Sequence, residues 1–596
     1  MSIRSLATLN PYFWKYKYRL LSGMVFILIG NFFKVYPSDW VKQAVNLIES
    51  TAKSYQISPQ AVAVDSFYHD LFTYGMYILG ATLMSAICTF FMRQTIVVMS
   101  RHIEYDLRNA MYAHYQKLDQ YFYKQNRTGD LMARLSEDIG AVRMYAGPAI
   151  MYVLTSITLF IIVIVKMFQT DTMMTWYALA PLPILSIVIY KLSSLDYEYY
   201  DEYQKEVSNI TSYTQETFAG IRVTRAYNRH ESSNTHFKII LTNLKNKAFQ
   251  LMKVDSLYNP SSSFLTGLST ILVVWVAAKQ GVPSGTITEF VFFLNLLIWP
   301  VISLGWTSTM IQRAAVSQRR INEFLDQQPT ITSPITTTDE AIKGNIVFKD
   351  VSFQYDAIRK PALQNISFDI PAGTSIGIMG RTGSGKSTLA TLIARFYDVT
   401  SGEILIDGKP IKEIPLTQLR TQIGYVPQEV FLFSETIANN VAFGIRKEYS
   451  PENLRKMVIQ ATDNAYITDN VEAFQEGFET QIGERGVSLS GGQKQRISIA
   501  RALAELPNIL LLDDCLSAVD TETEEIILQN MKKLMLHKTT IMVSHRVSTI
   551  KNCDRIIVLE NGRIIEQGTH DELANADGYY ATIYKHQLKQ VEEVIS

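Results

Sequence analysis

Along the first half of the chain the hydrophobic positions gather into six long runs, at roughly 20–36, 71–98, 144–168, 173–192, 257–278 and 287–310. Each approaches the ~20 apolar residues needed to cross a hydrocarbon core. The second, fifth and sixth also carry polar residues, so their ends shift by several positions. The runs predict six membrane-spanning helices; six of them in one half of a chain speak against a soluble helical bundle. Ahead of them, Tyr12, Phe13, Trp14, Lys15, Tyr16 and Lys17 form an aromatic and basic stretch suited to a short helix at a membrane interface.

Basic residues set the orientation. Arg101, Arg108, Lys117, Lys124, Arg127, Arg134 and Arg143 lie between runs two and three. Lys191, Lys205, Arg222, Arg225, Arg229, Lys238, Lys245 and Lys247 lie between runs four and five. The positive-inside bias places both segments and both termini in the cytoplasm, and the connection over 37–69 outside. The two basic segments read as helical extensions of the spans. Each holds a turn signal, Asn126-Arg127-Thr128-Gly129-Asp130 and Phe218-Ala219-Gly220. Arg93, near the inner end of run two, reads either as a functional charge or as a snorkelling one. Pro181, Pro183 and Pro300 predict kinks. Trp299 and Trp306 are candidates for lining a cavity, although helix packing would also account for them.

Past residue 325 the pattern changes. Residues 328–343 are rich in Pro, Thr, Ile and Asp and read as a linker. From 344 onward short apolar strands alternate with helical patterns, as in an α/β domain with phosphate chemistry at its strand ends. The expected organisation is a transmembrane domain over 1–327, the linker, and a nucleotide-binding domain over 344–596. The fold class is therefore a multidomain membrane protein, a six-helix all-α transmembrane domain fused to an α/β P-loop domain.

The chemistry centres on Gly380, Arg381, Thr382, Gly383, Ser384, Gly385, Lys386, Ser387 and Thr388. They fit the G-x-x-x-x-G-K-[ST] phosphate loop without a mismatch, between an apolar strand and a helix. The glycines let the backbone wrap a phosphate chain, and the helix start aims free N–H groups at it. Lys386 is placed for the β- and γ-phosphates and Ser387 for Mg²⁺. The strand Ile509-Leu510-Leu511-Leu512-Asp513 ends in a carboxylate able to orient the metal. Asp514 follows where a hydrolytic base would sit. Gln428 lies on a loop able to reach metal and attacking water, and His545 ends another strand, within reach of a γ-phosphate. Leu489, Ser490, Gly491, Gly492 and Gln493 open a helix and form a second anion-binding surface. One phosphate loop does not need two such surfaces.

Composition narrows the class. Lys+Arg and Asp+Glu both number 56 in 596 residues, which argues against a nucleic-acid partner. Hydrophobic residues make up 47% and charged ones 19%, low for a soluble chain. Cys88, Cys515 and Cys553 are too widely spaced for a zinc site or a disulfide framework. Met1–Asn10 lacks the apolar core of a cleavable signal peptide.

Taken in this order, the motifs resemble those of ATP-binding cassette (ABC) proteins. Leu489–Gln493 is similar to the family's signature, Tyr355 to the aromatic residue that stacks on adenine, and Gln428 to the Q-loop. Ser517-Ala518-Val519-Asp520 resembles the D-loop, and His545 the switch histidine. Residues 480–486 resemble the segment that precedes the signature in exporters. Arg127–Asp130 and Gly220-Ile221-Arg222-Val223 resemble two intracellular-loop regions of exporter membrane domains. The resemblance covers nearly the whole chain, as a half-transporter of the multidrug and lipid exporter type in a plasma membrane, here read as bacterial.

It implies ATP and Mg²⁺ as cofactors, with Ser387, Gln428 and Asp513 around the metal, and Asp514, His545 and Gln428 in catalysis. It also implies a second half-transporter as partner, each ATP lying between one chain's phosphate loop and the other's signature, with Asp520 at the same junction. Substrates would be small amphipathic molecules, drugs or lipids. Asp514 departs from the family's usual glutamate, which favours a heterodimer with one slow site over a homodimer. The rival class is a non-transporting member that gates a channel.

Overall fold

The computed structural model describes residues 3–57, 64–334, 341–356, 360–483, 486 and 489–595. The linker residues 335–340 and Glu484 and Arg485 of the segment before the signature lie outside them. Two compact units form, Met1–Lys117 with Asn126–Gln328, and Leu118–Gln125 with Pro329–Ser596.

In the first unit, six helical stretches are long and apolar enough to cross a membrane: Lys17–Ile57, Asp65–Tyr115, Thr128–Thr170, Thr172–Ala219, His230–Gln280 and Ser284–Leu325. They contain the six apolar runs. At 41 to 51 residues each reaches about 60–75 Å, roughly twice a ~30 Å hydrocarbon core. In the four middle stretches the surplus is largely the polar, basic sequence read above as helical extensions. Leu79, Leu83, Ile87 and Phe90 are all exposed at helical spacing, an apolar stripe that suits lipid.

Three features differ from expectation or were not visible. The connection after the first run is itself largely helical, over Pro37–Ile57, because Pro37 can start a helix where its missing N–H is not needed. The proline pair breaks the chain between the helices Thr172–Leu179 and Leu182–Ala219, whereas Pro300 lies within the helix Ser284–Leu325. Single π turns occur at Arg93–Val97, Arg134–Asp138 and Tyr145–Ala149. Arg93 is exposed at the start of the first.

Two ion pairs tie separate spans together. Lys42 Nζ lies 3.0 Å from Glu289, which is 1% exposed, and Lys166 Nζ lies 2.8 Å from Asp39. A carboxylate this buried is tolerable only when paired. Asp130, in the first turn signal, joins Arg134 and Arg320 at 2.9 and 2.7 Å within the same unit. The turn at Gly220 instead presents Phe218, Val223 and Tyr227 as exposed apolar side chains.

The second unit holds two sheets. Strands β1 (Ile346–Phe353), β2 (Leu363–Ile370), β4 (Ser401–Ile406) and β5 (Lys409–Pro410) form an antiparallel sheet in the order β2-β1-β4-β5. The other sheet runs β10-β9-β3-β8-β7-β6, from β3 (Ser375–Gly380), β6 (Ile423–Val426), β7 (Ile509–Asp513), β8 (Thr539–Val543), β9 (Arg555–Glu560) and β10 (Arg563–Gly568). All neighbours in it are parallel except β10 with β9. Strand β7 is buried along its full length, as its unbroken apolar run requires. The chain leaves the carboxyl ends of β3, β6, β7 and β8 on one side, and a ligand crevice belongs there in a parallel α/β sheet.

Candidate nucleotide site

The loop after β3 can only be built from glycine at two places. A Cβ on Gly380 (φ +153) would lie 2.2 Å from Leu559 O, and one on Gly385 (φ +102) 2.6 Å from Ala362 O. Both positions also demand a backbone that L side chains rarely adopt. The helix Lys386–Ile393 begins directly after them. Lys386 Nζ donates to Gly380 O at 2.8 Å and Arg381 O at 3.0 Å, folding back across its own loop. Burial holds its ammonium below the usual lysine range, and the charges of Asp514 and Asp513 act against that shift.

A cleft of about 900 Å³ opens at these strand ends. Tyr355, the phosphate loop, Gln428, Asp513, Asp514 and His545 all line it, so the structure brings together residues up to 190 positions apart in sequence. Ser387 Oγ donates to Asp513 Oδ1 at 2.9 Å. Burial pushes the Asp513 carboxyl up, while the Ser387 bond pulls it down. A divalent cation needs hard oxygen ligands of this kind, so the hydroxyl and carboxylate fit Mg²⁺, with the Gln428 amide on the same cleft. Asp514 sits at φ +48 with its N–H on Val543 O at 2.9 Å. Its carboxylate Oδ1 lies 2.9 Å from His545 Nδ1.

Tyr355 is held on several sides. Its hydroxyl lies 3.1 Å from Thr388 Oγ1, the ring of Tyr397 stands edge-on at 5.2 Å, and Lys124 Nζ sits 4.5 Å from its ring centroid. Lys124 belongs to the short helix Gln120–Gln125, part of this unit although distant in sequence. Just before it, Asp119 accepts from the Thr330 N–H and hydroxyl at 2.6 and 2.5 Å. The stretch that joins the cassette unit is thus 118–125, one turn before Arg127–Asp130. Periodicity gave no sign of this, because a helix of six residues is too short to show an apolar stripe.

Leu489, Ser490, Gly491, Gly492 and Gln493 do not line the cleft. Ser490 caps the helix Gly491–Leu503, accepting from Gln493 N at 3.2 Å while Gln493 Oε1 accepts from Ser490 N at 2.9 Å. Asp520 is also outside the cleft. It caps the helix Thr521–Leu534 through Thr523 N at 2.9 Å, and that backbone bond holds its carboxyl below the usual range. The two segments are latched to one another. Gln495 Nε2 donates to Ser517 Oγ at 3.0 Å, its Oε1 accepts from Ala518 N at 2.9 Å, and a Cβ on Gly492 would lie 2.9 Å from Ala518 O. Ala362 of the cleft was missed altogether, as were three residues of the helix Tyr579–Ile595, Tyr579, Ile583 and Gln587. Their spacing of four is a helical face, but nothing in it points to a nucleotide.

Residues 20–301 match the family described as ABC transporter transmembrane region, and residues 363–517 the family described as ABC transporter. The chain is 33% identical over 587 residues to the probable multidrug resistance ABC transporter ATP-binding/permease protein YheI of Bacillus subtilis (strain 168), covering 98% of this chain and 97% of that one. It is 31% identical over 557 residues to the multidrug resistance-like ATP-binding protein MdlA of Escherichia coli (strain K12), covering 91% and 93%. It is 29% identical over 570 residues to the ATP-dependent lipid A-core flippase of Vibrio vulnificus (strain CMCP6), covering 94% and 97%. The fold is similar to that of a bacterial Atm1-family ABC exporter solved with ATP bound, with a TM-score of 0.76 at 24% identity, covering 96% and 98%.

Proposed function

Because this chain belongs to the ABC transporter family, as an exporter with membrane and nucleotide-binding domains on one polypeptide, we propose that it exports small amphipathic molecules by alternating access as one half of a dimer. The observation that carries this reading is that one chain assembles only half of a nucleotide site. The cleft gathers the phosphate loop, Asp513, Asp514, Gln428 and His545, while the capped helix start at Ser490 is exposed and faces none of them. A second chain would supply the missing anion-binding surface. ATP would then favour the closed pair, since it can bridge two chains only when they meet, and a ligand shifts an equilibrium only by such differential affinity.

Within the site, Lys386 would exchange its two carbonyl partners for the β- and γ-phosphate oxygens. Ser387 and Asp513 would hold Mg²⁺, with Gln428 alongside. The bound metal would neutralise charge developing on the phosphates. Asp514 and His545 would orient the water attacking the γ-phosphate. Asp514 is one methylene shorter than the usual glutamate, so this site is the slow one of an unequal pair. The intact signature would complete the partner's site, where most hydrolysis would take place.

Export of an amphipathic substrate is supported by the relatives' names, which refer to multidrug resistance and to lipid A-core, and by an aromatic cluster on the spans. Tyr152 lies 5.2 Å from Trp306 and 6.2 Å from Trp299, with both tryptophans about half exposed. The test is substrate-stimulated ATPase with vectorial uptake into inverted vesicles. ATP-gated ion current without uptake would replace the exporter by the channel-gating alternative.

Coupling is expected to run through the turn at Gly220, whose apolar side chains are exposed, and through Arg127–Asp130. Cysteine pairs placed between 220–225, or 127–130, and the loop around Gln428 are expected to cross-link in the assembled dimer, with at least one pair between chains. The native background is quiet, since burial pushes the Cys515 and Cys553 thiols up to about 12 and Cys88 is buried. No cross-link in any nucleotide state, read on denaturing gels, would remove the coupling assignment.

A further inference from the structure

His545 stands on a three-residue link between β8 and the short helix Val547–Ile550. Such a link is held by few ladder bonds, yet the imidazole must be placed to within a fraction of an ångström to serve a phosphate. Two side chains fix it from different elements. Arg546 reaches Glu524 Oε2 at 2.7 Å and Ser517 O at 3.2 Å. On the cleft-lining helix Tyr579–Ile595, Gln587 Nε2 donates to His545 O at 3.0 Å, and its Oε1 accepts from Val547 N at 2.9 Å. Arg546 is extended (φ −97°, ψ 129°), so the carbonyl before it and the N–H after it face the same way. The carboxamide bonds both at once, as the N–H and C=O of one residue in a parallel neighbouring strand would.

The helix that carries Gln587 is itself anchored. The Glu566 carboxylate accepts from the Tyr579 and Tyr580 N–H groups at its first turn. Tyr580 is fully buried, with its hydroxyl 2.7 Å from His570 Nδ1. The Arg381 guanidinium of the phosphate loop lies 5.6 Å from the Tyr579 ring centroid. Positions 580, 583, 584 and 587 share one helical face, so the buried plug fixes where the carboxamide points.

We propose that Gln587 is a positioning residue for His545, so that the C-terminal helix, outside every recognised nucleotide motif, sets the imidazole against Asp514 and the γ-phosphate. This rests on the reading that His545 serves ATP hydrolysis. The contribution is specific to a carboxamide. Gln587→Glu keeps the acceptor for Val547 but turns an oxygen toward the His545 carbonyl, and Gln587→Ala removes both bonds.

The test uses the full-length chain in lipid nanodiscs, in the assembly that hydrolyses ATP, with Asp514→Glu as background and, where a different partner half is present, its catalytic glutamate replaced by glutamine, so that only the site on this chain's phosphate loop carries turnover. Both Gln587 variants are expected to lower kcat by about 10- to 100-fold, the cost of a misplacement near 1 Å, with the KM for ATP nearly unchanged. In a His545→Ala background neither is expected to lower it further, because Gln587 acts only through His545. Hydrogen exchange on the unliganded Gln587→Ala chain is expected to show faster exchange of the Val547 amide, with the first turns of the C-terminal helix still protected. An unchanged kcat, an equal loss without His545, or exchange spreading through the whole helix would each overturn the proposal. If the wild-type and Asp514→Glu assemblies both fail to hydrolyse ATP, the functional reading fails, and the exchange at Val547 still decides whether Gln587 holds the link.

Discussion

Lys386→Ala is expected to weaken ATP binding by about 10- to 100-fold or more, the largest loss of any single substitution in the cleft. The ammonium makes two bonds to loop carbonyls at 2.8 and 3.0 Å and is the loop's only lysine. Losing a charge-assisted bond to phosphate costs roughly 1.5–3 kcal/mol per bond, and each 1.4 kcal/mol is about tenfold in affinity. Tyr355→Ala is expected to lose less, because it removes a stacking face and leaves the phosphate contacts in place. Tyr355 also braces the loop through Thr388, so a modest additional loss of thermal stability is expected. Titration with a fluorescent ATP analogue separates the two. Equal affinity in wild type and Lys386→Ala would refute the phosphate-loop assignment.

Asp514 gives the second large effect. Asp514→Glu is expected to raise turnover at this chain's own site by up to ~10²-fold, since the added methylene carries the carboxylate forward by roughly 1–1.5 Å and about 1 Å of misplacement can cost that much. The aspartate is also held back, 2.9 Å from His545 Nδ1. The backbone has its own preference here. At φ +48 an aspartate is more comfortable than a glutamate, so Asp514→Glu is expected to lose a few degrees in melting temperature while gaining activity. In the unequal-site reading, ATPase activity requires the partner half and survives Asp514→Asn better than it survives loss of the partner's glutamate. Robust activity from the chain alone, abolished by Asp514→Asn, would make this a homodimer with two equal, aspartate-based sites.

The six spans and the cassette were legible because each rests on a local rule. An apolar run of membrane length, a strand followed by a glycine loop and a helix, and an unbroken apolar strand ending in Asp513 need no knowledge of the rest of the chain. Gln428, Asp513, Asp514 and His545 could be named for the same reason, since strand ends on one side of a parallel sheet converge, whereas Tyr355 follows β1 of the antiparallel sheet and was named through the family resemblance. Other features depend on distant partners. Glu289 looks like an unwelcome charge in an apolar run until Lys42 is found 3.0 Å away. Lys124 looks like one more basic loop residue until it is placed over Tyr355.

The sequence by itself therefore determined the architecture of six spans and a cassette and most of the residues that meet at the cleft, because periodicity and motif spacing are properties of neighbouring residues. Only the tertiary structure decided that 118–125 joins the cassette unit and that a C-terminal glutamine holds the peptide of His545. Those facts are set by packing between segments tens to hundreds of residues apart, and no local pattern of polar and apolar positions encodes such distances.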